Sequence, residues 1–283
     1  MTTVNGHSRP NVLVTTGGHA FDEAPFFQVF QDNHEIDWAH APVPSMRSWF
    51  TTENVGRWDA IVCYDMQGIT SRRATNQPPD FYEPPPAYVE GVTGLLEAGQ
   101  GFVLLHHAIT AWPAWSLWSE IVGGRWSYMP MELRGTTYPS SGYTDELEHH
   151  VAVLDRDHPV CAGLGDGFDI VDELYLHPVF DDSIVPLLKS EFPMKPDHFF
   201  SGENAINGQL FSREGWTHPD GSGLVGWVKS AGNSPIVYLQ CGHAAAAYGN
   251  PAFRTLVSNA IDWVSSPAAH EWARAHATAL AAA

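Results

Sequence analysis

The stretch GFVLLHHAITAW, Gly101 to Trp112, reads as a strand turning into a helix in an α/β enzyme. Its run Phe102, Val103, Leu104, Leu105 has the unbroken hydrophobicity of a parallel strand buried on both faces. Many such folds carry a nucleophilic Ser or Cys at the turn that follows. Here the run ends in His106 and His107. Just upstream, Ala87 to Ala98 places Val89, Val92, Leu95 and Leu96 on one helical face, with Gly99 as a C-terminal stop.

Working outward, NVLVTTGGH (Asn11 to His19) and DAIVCYDM (Asp59 to Met66) are further buried strands, with a third plausible at Glu35 to Ala39. Ala24 to Gln31 carries Phe26, Phe27 and Phe30 at helical spacing, with acidic residues at its start. The proline-rich segment from Ile69 to Pro86 reads as a surface insertion. Trp112 to Val122 reads as a short helix, and the aromatic segment Arg125 to Leu147 as a lid or a subunit contact. His149 to Asp155, Phe168 to Tyr175 and Ile184 to Ser190 are predicted strands, and Pro186 puts the last at an edge. Gly223 to Ser230 and Pro235 to Cys241 form a predicted hairpin. Pro251 to Val264 matches an amphipathic helix, and the Ala-rich end, His270 to Ala283, a loosely packed terminal one. Strands alternating with helices imply a parallel sheet covered on both faces.

Composition narrows the partners. Among 283 residues, 14 basic against 32 acidic give a formal charge of −18, which repels phosphate backbones and anionic lipid, so neither nucleic acid nor a membrane is expected. Cys63, Cys161 and Cys241 are too few and too far apart for a disulfide framework or a CxxC site. With no signal-like start and no apolar run near the ~20 residues of a span, a soluble cytoplasmic protein is expected.

In parallel sheets ligands bind beyond the carboxyl ends of the strands. Those ends carry His19, Asp65, His106, His107, Asp172, Glu173 and the pair Cys241 and His243. Any single histidine there reads more readily as a loop or capping residue than as a ligand; their coincidence is the functional signal. His34, His40, His149, His150 and His270 read as surface residues, and Cys241 as the end of a buried strand rather than a nucleophile.

TTGGH near the start, VLLHHA, VDELY, and LQCGH followed by YGNPAFRTLVSNAIDW together resemble the ThuA-like family, associated with trehalose utilisation, over Asn11 to Val264. The resemblance implies a single domain over residues 1–283 with a core at 11–264 and a helical tail at 265–283. It also implies an α/β fold, flavodoxin-like and similar to class I glutamine amidotransferases, with a mostly parallel sheet, helices on both faces and an antiparallel extension. That superfamily places its nucleophilic Cys where this chain has His107 or Ala108, so amidotransferase chemistry is not expected. The implied substrates are sugars oxidised at C3 by a partner sugar 3-dehydrogenase. Such an enzyme needs a base near neutrality and a positive group for the developing oxyanion. A divalent metal (zinc, manganese or iron) is the implied cofactor, and no nucleotide cofactor is expected.

Carried over residue by residue, the resemblance makes His19, His106 and His243 the metal or oxyanion-contacting set and Glu173 a further ligand or the base. Asp172, His107 and His177 follow, and Tyr175, Trp112, Trp115 and Trp126 offer faces for a pyranose ring. The family's GHG motif is here Gly242-His243-Ala244, and its Gly-Lys-Gly hairpin turn is Ala231-Gly232-Asn233-Ser234. The segments Gln67 to Pro86 and Pro193 to Gly208 are long, which suggests a substrate other than trehalose; in the latter, Lys195, His198, Glu203 and Asn204 either reach over the pocket or belong to a solvated connection. A metal-dependent hydrolase with Glu173 as base and a non-catalytic sugar binder are the alternatives, and the aromatic segment after Arg125 suggests a homo-oligomer.

Overall fold

A computed structural model of the chain describes residues 3–4, 7–144 and 146–277. Its centre is a nine-stranded sheet built from β1 (Asn11–Gly17), β2 (Asp37–Pro42), β3 (Ala60–Asp65), β4 (Gly101–Leu105), β5 (Leu147–Val153), β6 (Gly167–Asp172), β7 (Val185–Ser190), β8 (Leu224–Ala231) and β9 (Ser234–Leu239). The spatial order is β6-β5-β7-β8-β9-β4-β3-β1-β2. Strands β2, β1, β3, β4 and β9 run parallel, and β8, β7, β5 and β6 extend the sheet by antiparallel pairing.

The inner parallel strands β1, β3, β4 and β9 are buried along almost their whole length because both faces are covered, whereas β2 at the edge is largely exposed. Side chains alternate across the sheet, so Val12, Val62, Val103 and Val237 join one core while Leu13, Ile61, Phe102 and Ile236 join the other. Helices α1 (Glu23–Gln31), α4 (Pro251–Val264) and α5 (Pro267–Ala275) pack on the first face. Helices α2 (Pro86–Ala98) and α3 (Ser116–Val122) pack on the second. Local chemistry sets the helix ends: Asn250 caps α4 by accepting from Ala252 N at 2.9 Å, and Gly99 ends α2 at φ 89°.

Several expectations change. Strand β7 lies inside the sheet between β5 and β8, not at an edge; Pro186 is tolerated because the β7–β8 register shifts beside it, at a bulge. The insertion after Ile69 contains a short strand pair, Ile69–Thr70 with Asp80–Phe81, and a helical turn, Arg72–Thr75. The helix expected from Trp112 starts at Ser116, since Pro113 follows a Trp112 held at φ 53°. His149 is buried and bonded to Ser190 Oγ at 2.9 Å rather than exposed. The terminal helix begins at Pro267 and seats Ala269 and Ala273 fully buried, so it is firmly packed; residues 278–283 of that expectation lie outside the described residues. No helix among the described residues is long and apolar enough to cross a membrane.

Candidate functional site

The carboxyl ends of β1, β4, β6 and β9 meet at one cleft of about 310 Å³. After β1 the chain turns at Gly18, φ 83°, where a Cβ would fall 1.7 Å from the Met66 carbonyl oxygen; only glycine brings the turn close enough to present His19. After β4 the residue in the left-handed region is His106 itself, φ 38°, one position before the expected elbow. Such strained strand-to-helix turns recur at functional sites. Strand β6 breaks after Asp172, which frees Glu173 and Tyr175 to face the cleft. After β9, Gly242 at φ 115° leaves no room for a Cβ against Phe253 and leads into His243.

The side chains then form a chain of contacts. His106 Nδ1 bonds the Gln240 carbonyl, which only accepts, so this nitrogen carries the hydrogen and Nε2 of the neutral ring is a lone pair. Burial holds the His106 pKa below the ordinary range, which keeps the ring neutral. Facing that lone pair are the Tyr175 hydroxyl at 2.8 Å and Glu173 Oε2 at 3.0 Å. The Tyr175 oxygen lies 3.3 Å from His107 Nδ1, and His107 Nε2 lies 3.1 Å from His19 Nδ1. Burial, then the neighbouring imidazoles of His19, His106 and His243, push His107 well down, and burial pushes the Tyr175 phenol well up. His243 Nε2 stands 3.8 Å from Glu173 Oε2. A nitrogen lone pair and a carboxylate oxygen at hydrogen-bond distance, with one phenol proton near both, make this floor richer in acceptors than in donors.

Asp172 works one layer out. Its Oδ2 accepts from Gly242 N at 2.6 Å and its Oδ1 from His243 N at 2.9 Å and Glu173 N at 3.0 Å, tying two site-bearing loops together. Burial raises this carboxyl to about 6, against the pull of His106 and those three amides. Asp172 is therefore a positioning residue, not one that faces the cleft. Tyr248 Oη and Tyr64 Oη, 2.7 Å from each other, hold the His243 carbonyl at 2.7 and 3.2 Å.

Two triads place their donor atoms within 4.8 Å of one another: His19, His107 and His243, and His106, Glu173 and His243. The expected set His19, His106 and His243 is thus divided between them, with His107 beside His19 and Glu173 beside His106. Tetrahedral ligands at ~2.0–2.1 Å from an ion are roughly 3.4 Å apart. The separations of 3.0, 3.1 and 3.8 Å, and a His106 whose other nitrogen is anchored on a backbone carbonyl, fit such a role.

Other expected residues lie elsewhere. Trp112 is fully buried under Arg47, 5.2 Å away, and Trp115 stacks on Trp118. His177 bonds the Pro178 carbonyl at 3.0 Å and lines a separate pocket with His218; burial pushes it down to about 4. His198 is exposed and bonds the Pro193 carbonyl at 2.9 Å, while Glu203 and Asn204 face another depression. Cys241 is buried, and burial pushes its thiol well up. The aromatic segment after Arg125 contributes the buried side chains of Trp126, Tyr128 and Tyr143 to the cleft. Sequence reading missed Met66, Ile69, Thr110, Ile206, Leu210 and Phe211, which also line it. They come from turns and from elements too short to show periodicity; the adjacent apolar pair Leu210-Phe211 in a polar stretch was the one available signal.

The ThuA family model, described as trehalose utilisation, matches residues 11–264. No curated protein matches the chain at a significant level. Among solved structures, a ThuA-like protein of Parabacteroides merdae is 15% identical, covering 92% of this chain and 91% of that one, with a TM-score of 0.65. A ThuA-like protein of Bacteroides uniformis is 17% identical over 93% of this chain and 95% of that one, with a TM-score of 0.62. PurLQS of Thermotoga maritima, 10% identical over 90% and 99%, has a TM-score of 0.50. The sheet order, the helices on both faces and these likenesses make the fold that of class I glutamine amidotransferases, and the match across the whole sheet shows that the chain belongs to the ThuA family.

Proposed function

We propose that the protein is an enzyme of carbohydrate catabolism that removes the C2 proton of a glycoside already oxidised at C3, leading to isomerisation or loss of the group at C1. The observation that carries this reading is the acceptor-rich floor: His106 Nε2, held as a lone pair by the Gln240 carbonyl, beside Glu173 Oε2 at 3.0 Å. A sugar hydroxyl donates to such a floor, and a neutral imidazole or carboxylate there takes a proton made acidic by the adjacent ketone.

Glu173 is the proposed base, since it borders both His106 and His243 and lines the cleft. It takes the proton from C2, and the electron pair of that C–H bond becomes an enediolate with the charge on the C3 oxygen. The charge then returns to form C1=C2 as the C1–O bond breaks, and the departing oxygen takes up a proton from the site. No oxidant is consumed. Tyr175, kept neutral by burial, donates to the developing oxyanion, and His107, also neutral, relays between Tyr175 and His19. His19, His107 and His243, or His106, Glu173 and His243, would hold a divalent ion, which supplies a Lewis acid for the same charge. Were Glu173 a ligand, His107 would replace it as the base; were His107 a ligand, Glu173 would keep that role. A sugar 3-dehydrogenase is the partner such a substrate requires, and free buried cysteines fit a cytoplasmic setting.

The test uses a 3-keto-glucoside deuterated at C2 and NMR to follow the label. Enzyme-dependent loss of deuterium, slowed at least 10³-fold in Glu173→Gln, His106→Ala double variants, is the expected result. Retention of the label during binding or cleavage ends this reading in favour of a hydrolase or a binder.

A further inference from the structure

The cleft has two unlike halves. Its floor is the titratable cluster; its outer wall is Met66, Ile69, Trp126, Ile206, Leu210 and Phe211. Two polar groups of the aromatic wall have partners within the protein: Trp126 Nε1 donates to the Gly142 carbonyl at 2.9 Å, and the Tyr143 hydroxyl accepts from Phe211 N at 2.9 Å. Thr144 Oγ1 accepts from Leu174 N at 2.8 Å and Thr110 Oγ1 donates to the His107 carbonyl at 2.9 Å. The other polar side chains lining the cleft outside the floor are Ser71, Glu146 and the buried Tyr128.

Leu210 and Phe211 stand adjacent at the rim, 39% and 51% exposed. Phe211 is held at φ 56°, a left-handed conformation that costs an L-residue energy, by its amide bond to Tyr143. Its ring belongs to an edge-and-tilt cluster with Phe200 at 5.5 Å and Tyr143 at 6.2 Å. Trp126 continues the aromatic surface down to Tyr175 at 5.6 Å. A second pyranose on this wall would bring several hydroxyls to a place with few partners, and a buried hydroxyl without a partner is costly. A flat apolar ring meets no such penalty and stacks edge-on or offset against these rings. Glu146 at the mouth repels an anionic group.

We infer that the group carried at C1 of the substrate is a neutral aromatic aglycone, seated on the wall of Trp126, Tyr143, Leu210 and Phe211, rather than a second sugar. This inference rests on the proposed function, since the floor must hold the oxidised sugar ring. The bonds broken and formed are those already given, with the aromatic alcohol as the departing group.

The experiment compares benzyl 3-keto-α-glucoside with 3-keto-α,α-trehalose, two ketones that share the anomer and an alkoxide leaving group. The expected kcat/KM is at least 10-fold higher for the benzyl ketone, and Phe211→Asn, which tolerates the left-handed backbone, narrows that ratio about 5-fold. Leu210→Ser narrows it in the same direction. Equal or better turnover of the disaccharide overturns the aromatic subsite and leaves the proposed function standing. Turnover of neither ketone overturns the proposed function, and calorimetry with unoxidised benzyl α-glucoside and trehalose then decides the subsite. Benzyl glucoside binding at least 10-fold tighter keeps it, and equal or absent binding of the two removes it.

Discussion

Asp65 ends β3 and Asp172 ends β6; both carboxyls are buried and both are pushed up by that burial, yet they serve different ends. Asp65 is closed in by side chains. Thr15 Oγ1 donates to it, Gln67 Nε2 donates at 2.6 Å, and Arg47 Nε holds Gln67 Oε1 at 2.8 Å. Its acceptors are matched by donors from its own core, and it lines no cleft among those described. Asp172 accepts backbone amides of the two loops that present Glu173 and His243, beside a floor where acceptors outnumber donors. A closed polar network is a structural device, whereas an anchor beside titratable groups that face a cleft supports a site.

The largest expected effect would break the comparison at the site itself. Glu173→Gln is expected to lower kcat/KM on a 3-keto-glycoside at least 10³-fold with Tm within about 3 °C of wild type; a large loss of Tm would put Glu173 in the same class as Asp65. Next comes linkage at Asp172. An acid raised on folding from 3.8 to about 6 loses stability as pH rises through that window and nothing more above it. Wild type is therefore expected to lose about 3 kcal/mol relative to Asp172→Asn between pH 3.8 and pH 7, measured by urea unfolding at both pH values. A constant difference across that range would mean that the carboxyl is not raised.

Asp65→Ala should instead cost stability, about 2 kcal/mol from the orphaned Thr15 and Gln67 donors, while activity per folded molecule stays within about 3-fold. Selective loss of activity in a stably folded Asp65→Ala would erase the distinction between the two acids. The finest test is the pH profile. Below about pH 6 Asp172 takes up a proton and becomes a weaker acceptor, while burial holds His106 and His107 below the ordinary imidazole range. An acid limb in kcat/KM near 6 is expected in wild type and displaced to lower pH in Asp172→Asn; a limb unmoved by the substitution belongs to another group.

Most of the framework was legible in the chain. Continuous apolar runs at Val12, Ile61 and Phe102 can only be strands covered on both faces, and the helix at Pro251 announces itself by period. Strand β7 was misplaced at an edge because Pro186 forbids a ladder bond only where no bulge relieves it, and a bulge depends on the partner strand. The convergence of His19, His106, His107, Glu173, Tyr175 and His243 was readable too, since strand ends in a parallel sheet share one edge.

What the sequence by itself determined is therefore the α/β class, the strands and the titratable residues at their ends, because hydrophobic period and chain order are local properties. The tertiary structure decided how those residues divide: His106 with Glu173 and His107 with His19, Asp172 behind them, and His177, His198 and Trp112 away from the cleft. It also supplied the apolar wall of Leu210 and Phe211. The physical reason is that hydrogen-bond partnership and burial arise from segments 67 to 134 residues apart in the chain, and spacing along one segment carries no trace of the other.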